Sequence, residues 1–166
     1  MAKKISFGLS VNEIRKAQKE LEIYKKEFIS KVKKFTERLA EEGVRAAQLN
    51  ISEMGAVFTG ELFDSIDKEP GDTIKYGDSW IIYTDCPWAQ YVEFGTGVVG
   101  SKNPHPDTSI AGWSYDVNNH GESGWVYYRN GQFYRTRGMP SRPFMYETAQ
   151  EIGFLVSRIA KEVFSD

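Results

Sequence analysis

Trp125-Val126-Tyr127-Tyr128-Arg129-Asn130-Gly131-Gln132-Phe133-Tyr134-Arg135-Thr136 is the stretch whose reading decides the fold class. Two runs of aromatic and β-forming residues flank Asn-Gly, the dipeptide that suits a two-residue hairpin turn, so an antiparallel hairpin is predicted here. On its carboxyl side, Pro140-Ser141-Arg142-Pro143-Phe144-Met145 leads into a closing helix. Pro143 stands near the first turn, and Phe144, Ala149, Ile152, Leu155, Val156, Ile159 and Val163 fall along one side.

On the amino side of the hairpin, Gly95 to Gly124 is Gly-rich without sustained periodicity. It reads as a long loop, of the kind that is usually functional or mobile, projecting over residues 98–124. Before it, Tyr91-Val92-Glu93-Phe94-Gly95-Thr96-Gly97 belongs to an aromatic segment that reads as a short helix or an irregular strand after Cys86-Pro87. Further back, Pro70-Gly71-Asp72 is a turn signal. Two strands are expected after it, Thr73 to Tyr76 and Trp80 to Thr84, joined tightly through Gly77-Asp78-Ser79. Thr59-Gly60-Glu61-Leu62-Phe63-Asp64-Ser65-Ile66 reads as a turn entering a short helix or strand.

The first third of the chain is a long amphipathic helix. Ser10 or Asn12 can cap it, and Ile14, Ala17, Leu21, Tyr24, Phe28, Phe35 and Leu39 recur mostly three or four apart. The stripe suits a helix laid on a sheet and also resembles a heptad seam. Gly43 predicts a kink or short break, after which Val44, Ala46, Ala47 and Leu49 continue the apolar face. Ahead of the helix, Ile5, Phe7 and Leu9 alternate with Lys4, Ser6 and Gly8, as in a short strand or arm. The expected fold is α+β: two long amphipathic helices packed on a mostly antiparallel sheet, within one domain spanning 1–166.

Composition bounds the function. The 166 residues carry a net charge of -2, which excludes a uniformly basic nucleic-acid binder. Charge is polarised: residues 1–50 hold 12 Lys and Arg against 7 Asp and Glu, and the rest holds 9 against 16. Such polarity suits contacts between unlike faces of neighbouring copies. The lone Cys86 cannot form an internal disulfide and fits a reducing cytoplasm. No apolar run approaches the length of a membrane span or a signal-peptide core, so no membrane partner and no cleaved export signal are expected.

Reactive constellations are sparse. His105, Asp107, Asp116 and His120 match no familiar metal-ligand spacing, so no metal is expected. Cys86 with His105 or His120 lacks any nucleophile signature, and Glu61 and Glu93 show no sign of a carboxylate pair. Phe94-Gly95-Thr96-Gly97-Val98-Val99-Gly100 lacks the Gly-Lys-Ser/Thr of a phosphate loop and the dinucleotide spacing. Neither a cofactor nor an enzymatic activity is expected. Arg129, Arg135, Arg137 and Arg142 among Tyr127, Tyr128, Phe133 and Tyr134 suit either a protein interface or an accessory nucleic-acid-binding surface; the net negative charge favours the interface.

Taken in order, the long helix, Thr59-Gly60-Glu61-Leu62 with Ser65-Ile66, Ala89-Gln90-Tyr91-Val92-Glu93-Phe94-Gly95-Thr96, and Arg142-Pro143-Phe144-Met145 before a final helix resemble one family. It is the tailed-bacteriophage family of minor tail components, also described as neck, head-to-tail joining or tail-completion proteins. The resemblance covers roughly residues 10–164. It implies a non-enzymatic virion protein, assembled in the host cytoplasm, that forms a ring at the junction of capsid and tail. Related tail-terminator proteins form sixfold rings, which implies a hexamer contacting a head-side connector or head-closure protein and the tail tube, with genomic DNA passing through the lumen. Tyr91, Glu93, Phe94, Gly95 and Thr96 with Arg142, Pro143 and Phe144 are then the residues expected to hold the subunit's shape. They are expected close together, with Arg142 and Glu93 placed for an ion pair at the sheet edge. Residues 98–124, which the resemblance does not match, are expected to reach a neighbouring subunit or the tube.

Overall fold

The computed structural model describes residues 5–57, 59–74, 77–107, 109, 112–116 and 118–165. Helix α1 spans Val11–Glu53 without interruption. It opens on a reciprocal capping box: the Ser10 side chain accepts from the Glu13 amide, and Glu13 accepts from the Ser10 amide. The Ser10 hydroxyl also donates to the Glu13 carboxylate at 2.5 Å, and that bond first, then the one from the Ser10 amide, holds the carboxyl below its usual range. The helix ends at Gly55, whose φ is +63°. The Ala56 amide reaches back to the Ile51 carbonyl at 2.9 Å and the Gly55 amide to that of Ser52 at 3.1 Å, closing a Schellman motif.

The break expected at Gly43 does not occur. A Cβ there would lie 2.2 Å from Ile82 Cδ1 and 2.8 Å from Ile152 Cδ1, so the missing side chain lets other elements approach the helix. Packing outweighs the roughly 1 kcal/mol helical disadvantage of Gly relative to Ala. Gly43→Val would drive a stiff branched group into space that Ile82 and Ile152 occupy and is expected to lower stability by about 2 kcal/mol, read from urea unfolding.

A single turn, α2 (Glu61–Asp64), follows, then strands β1 (Ile66–Ile74) and β2 (Gly77–Thr84). They pair antiparallel, with Ile66 opposite Thr84, Lys68 opposite Ile82 and Pro70 opposite Trp80. Pro70-Gly71-Asp72 is therefore not the turn: the register shifts between Pro70 and Thr73, and the strand runs on through the irregularity to Ile74. Gly77-Asp78-Ser79 likewise begins a strand. Both strands of a two-stranded sheet are edges, which accommodates Pro70. Lys75 and Tyr76, the predicted end of the first strand, lie outside the described residues. One face of this hairpin lies on α1, where Lys68 Nζ reaches Glu41 at 3.5 Å and Glu37 at 3.8 Å while standing 4.5 Å from the centre of the Trp80 ring.

Helices α3 (Ala89–Phe94) and α4 (Gly97–Lys102) come next, so the segment expected as a loop begins with helical turns. Strands β3 (Trp125–Arg129) and β4 (Gln132–Thr136) form the predicted hairpin, with Trp125 opposite Thr136 and Arg129 opposite Gln132. Asn130 and Gly131 take φ values of +48° and +81°, as the turn requires. A short strand, β5 (Gly138–Met139), leads to α5 (Phe144–Phe164).

The fold is mixed α+β, but the strands make two separate two-stranded antiparallel sheets, not one sheet under both helices. Helix α1 lies on β1–β2 and α5 packs along α1. Small residues on α1, Ala40, Gly43, Ala46 and Ala47, sit buried along this contact zone. The main core joins Ala47, Ile51, Leu62, Ile66, Cys86, Val92 and Phe144.

Two predicted apolar faces differ from the observed ones. On α5 the buried residues are Phe144, Thr148, Ile159 and Val163, whereas Ala149 and Val156 are exposed. Thr148 faces inward because its hydroxyl donates to the Phe144 carbonyl at 2.6 Å and accepts from Asn50 at 3.2 Å. On α1 the stripe exists but its amino half is mostly uncovered: Ala17 is buried, whereas Val11, Ile14, Leu21, Tyr24 and Phe28 are exposed, as is Leu49 further on. The shorter α5 ends at Phe164, whose ring meets Phe28 and Phe35 at 5.8 and 5.9 Å. The described residues 5–10 form no strand, and Met1–Lys4 lie outside the description. Among the described residues no helix is long and apolar enough to cross a membrane.

Candidate functional site: a clamp between two segments

The structure brings Tyr91–Gly97 and Met139–Tyr146 together. Helix α3 starts shortly after β2 ends at Thr84, with the Ala89 amide bonded to the Cys86 carbonyl at 3.0 Å. Its inner face buries Ala89, Val92 and Glu93. The second segment then docks through its backbone: the Arg142 amide donates to the Val92 carbonyl at 2.8 Å and the Ser141 hydroxyl to the Glu93 carbonyl at 2.5 Å. Beyond Gly95, Thr96 pairs with Met139 and Gly97 with Gly138 as antiparallel bridges. The Thr96 hydroxyl accepts from the Met139 amide at 3.2 Å.

Glu93 is the centre of the clamp. Helix α5 has Pro143 at its cap position and no side chain of its own to cap it. The buried Glu93 carboxylate takes that place from across the fold, accepting from the Met145 amide at 2.9 Å and the Tyr146 amide at 3.0 Å. It also meets His105 Nε2 at 3.1 Å. A carboxylate can only accept, so Nε2 is the donor to Glu93, while Nδ1 stands 3.1 Å from the Asp107 amide and 3.3 Å from its carbonyl. A carboxylate at a helix N-terminus is favoured by the free amides and by the helix dipole. Its oxygens face donors of the protein itself, so this group positions a helix.

The expected Glu93–Arg142 ion pair is not formed. Arg142 turns to the far end of α1, where Nε donates to the Met54 carbonyl at 3.0 Å. Guanidinium at a helix C-terminus complements the exposed carbonyls, so one short segment closes the end of α1 and the start of α5. Phe144 is 1% exposed in the core, Pro143 precedes the first helical turn, and Phe94 and Tyr91 are half-buried. Phe94 meets His105 and Trp113 at 5.0 Å each, and Tyr91 meets Trp113 at 5.8 Å.

These contacts correct the projecting loop. His105 is buried, and Trp113 Nε1 donates to the Gly95 carbonyl at 3.2 Å, so described residues of 98–124 lie back over the clamp. Thr108, Ile110, Ala111 and Val117 lie outside the description. Of the His and Asp residues weighed as metal ligands, His105 meets Glu93, while His120 Nδ1 stands 3.6 Å from Asp116 and its ring 4.9 Å from Trp125. Cys86 is buried among apolar residues. Arg135 donates to the Ser123 carbonyl at 2.9 Å and Arg137 to Glu122 at 2.9 Å, which ties the β3–β4 hairpin to the turn before it.

Sequence reasoning missed three partners of the clamp: His105, Met54, and Asn103, whose carbonyl accepts from the Ser141 amide at 3.1 Å. One signal was available: a helix opening at Pro143-Phe144-Met145 without an adjacent capping side chain needs an acceptor from elsewhere. Comparison with known proteins found no matching family model, no matching curated protein and no matching solved structure.

Proposed function

We propose that this chain is an assembly protein, a subunit whose work is shape and contact. More specifically, it is a structural protein of a tailed-phage virion that forms a ring, in the hexameric arrangement implied by the resemblance, at the head-to-tail junction or tail terminus. The observation that carries the assembly reading is the amino half of α1. Leu21 and Ile23 are each 53% exposed and Val11 63%, on a helix that runs well past its partner α5. An isolated helical extension is marginal in water, and apolar residues along it suit a protein neighbour. The phage reading adds the ordered motifs described above. A head-side connector or head-closure protein, the tail tube and DNA in the lumen are the partners that follow from it.

The test is assembly in solution and in particles. The protein is expected to sediment as a closed ring and to be found in purified virions. Leu21→Glu with Tyr24→Glu is expected to give monomers whose unfolding free energy changes by less than about 0.5 kcal/mol, since these are surface positions. A wild type that stays monomeric with its partners, and is missing from particles, overturns the reading.

The competing reading, an accessory nucleic-acid binder, draws on exposed Tyr128 and Phe133 on the β3–β4 hairpin. Arg135, Arg137 and Arg142 all engage acceptors within the chain, which counts against it. Tight, steeply salt-dependent DNA binding by the monomer would favour it.

A further inference from the structure

Beside the clamp, a cavity of about 440 Å³ opens between the start of α3, the loop before β3 and Met139. Trp88, Tyr91, Tyr115 and Trp125 supply aromatic surface, and Asp116 supplies a carboxylate. We propose that this cavity binds an organic cation, an ammonium or guanidinium head carrying an apolar body, independently of the assembly reading.

Asp116 is fixed in place. One oxygen accepts from the His120 amide and the other from the Gly121 amide, both at 2.7 Å. These two bonds, that of Gly121 first, also keep the carboxyl below its usual range, so it stays charged where a neutral acid would not attract a cation. Its side chain remains 36% exposed, leaving it open to a ligand. Among the described residues that line the cavity, Asp116 is the only carboxylate and none is Lys or Arg. His120 also lines the cavity, its Nδ1 3.6 Å from Asp116, so the carboxylate keeps its internal partners with any ligand; an anion would still be repelled by it, and a purely apolar ligand would strip its exposed face of water without return. A cation gains both the carboxylate and the negative faces of the rings. The volume lies in the range of small-molecule sites and exceeds a single side chain.

The test titrates the full chain with choline, with its neutral isostere 3,3-dimethylbutan-1-ol, and with Nα-acetyl-arginine amide, following the Trp88 and Trp125 indole N–H signals by NMR. Choline is expected to bind at least about tenfold more tightly than the isostere, the difference being the charge. Preference for choline identifies a free cation as the occupant, whereas preference for acetyl-arginine amide identifies a basic side chain from another protein. Asp116→Asn and, separately, Trp88→Leu are each expected to weaken binding about tenfold or more. The second variant leaves the Asp116 turn intact and so covers the case in which the first disturbs the loop. Equal binding of cation and isostere, no saturable shift with either cation, or unchanged binding in both folded variants overturns the proposal.

Discussion

Glu93→Ala is expected to lower stability by roughly 3 to 5 kcal/mol, measured by urea unfolding. The magnitude follows from what is left behind. Truncation leaves the Met145 and Tyr146 amides without their acceptor at the buried start of α5 and leaves His105 Nε2 facing a void. Each orphaned buried donor costs about 1–3 kcal/mol. Glu93→Gln is the sharper experiment. It keeps the volume but replaces one acceptor oxygen with a donor that confronts another donor, so about half the loss is expected, with weakened amide protection confined to the first turn of α5. If both variants unfold within about 0.5 kcal/mol of wild type, as surface substitutions do, the cap is not what holds the two segments together.

Gly138→Ala is expected to have an effect of similar size through the backbone alone. Gly138 has φ of +104°, and a Cβ there would lie 1.8 Å from the Thr96 carbonyl oxygen and 2.9 Å from the Gly97 Cα. Neither obstacle is a side chain that can rotate away. Positive φ adds strain of about 1–3 kcal/mol for a residue with a side chain, and the clash demands separation of the paired backbones. A loss of roughly 4 kcal/mol or more is expected, with the Thr96 and Met139 amides losing protection first in hydrogen exchange. A variant that melts like wild type and keeps that protection would remove the bridge from the account.

What was legible in the sequence was what neighbouring residues decide among themselves. Asn130-Gly131 set its hairpin because two left-handed residues between β-formers leave few alternatives, and Ser10 with Glu13 set the start of α1 by a bond spanning three residues. The proximity of Tyr91–Gly97 to the segment before α5 was expected from the resemblance. The bonding inside it was not, because Glu93 chooses between a distant guanidinium and two distant amides, and only the tertiary fold ranks them. Gly43 misled for the same reason. Its low helical propensity was visible, while Ile82 and Ile152, which need its missing side chain, are far away in sequence. Pro70-Gly71-Asp72 carries turn chemistry that the strand absorbs as an irregularity. The stripe on α1 was correctly periodic, yet periodicity reports which side is apolar, not which part another element covers.

The pairing of Thr96 and Gly97 with Met139 and Gly138 has an evolutionary consequence. It fastens both ends of everything between them, including α4 and the β3–β4 hairpin, at one place. The stretch still touches the chain on either side, since His105 meets Glu93 and Trp113 donates to the Gly95 carbonyl. Lengthening such a closed stretch costs only about 0.6 kcal/mol per doubling in closure entropy. The exposed end of the β3–β4 hairpin, at Tyr128 and Phe133, is thus where the chain can be lengthened while His105 and Trp113 keep their places on the clamp.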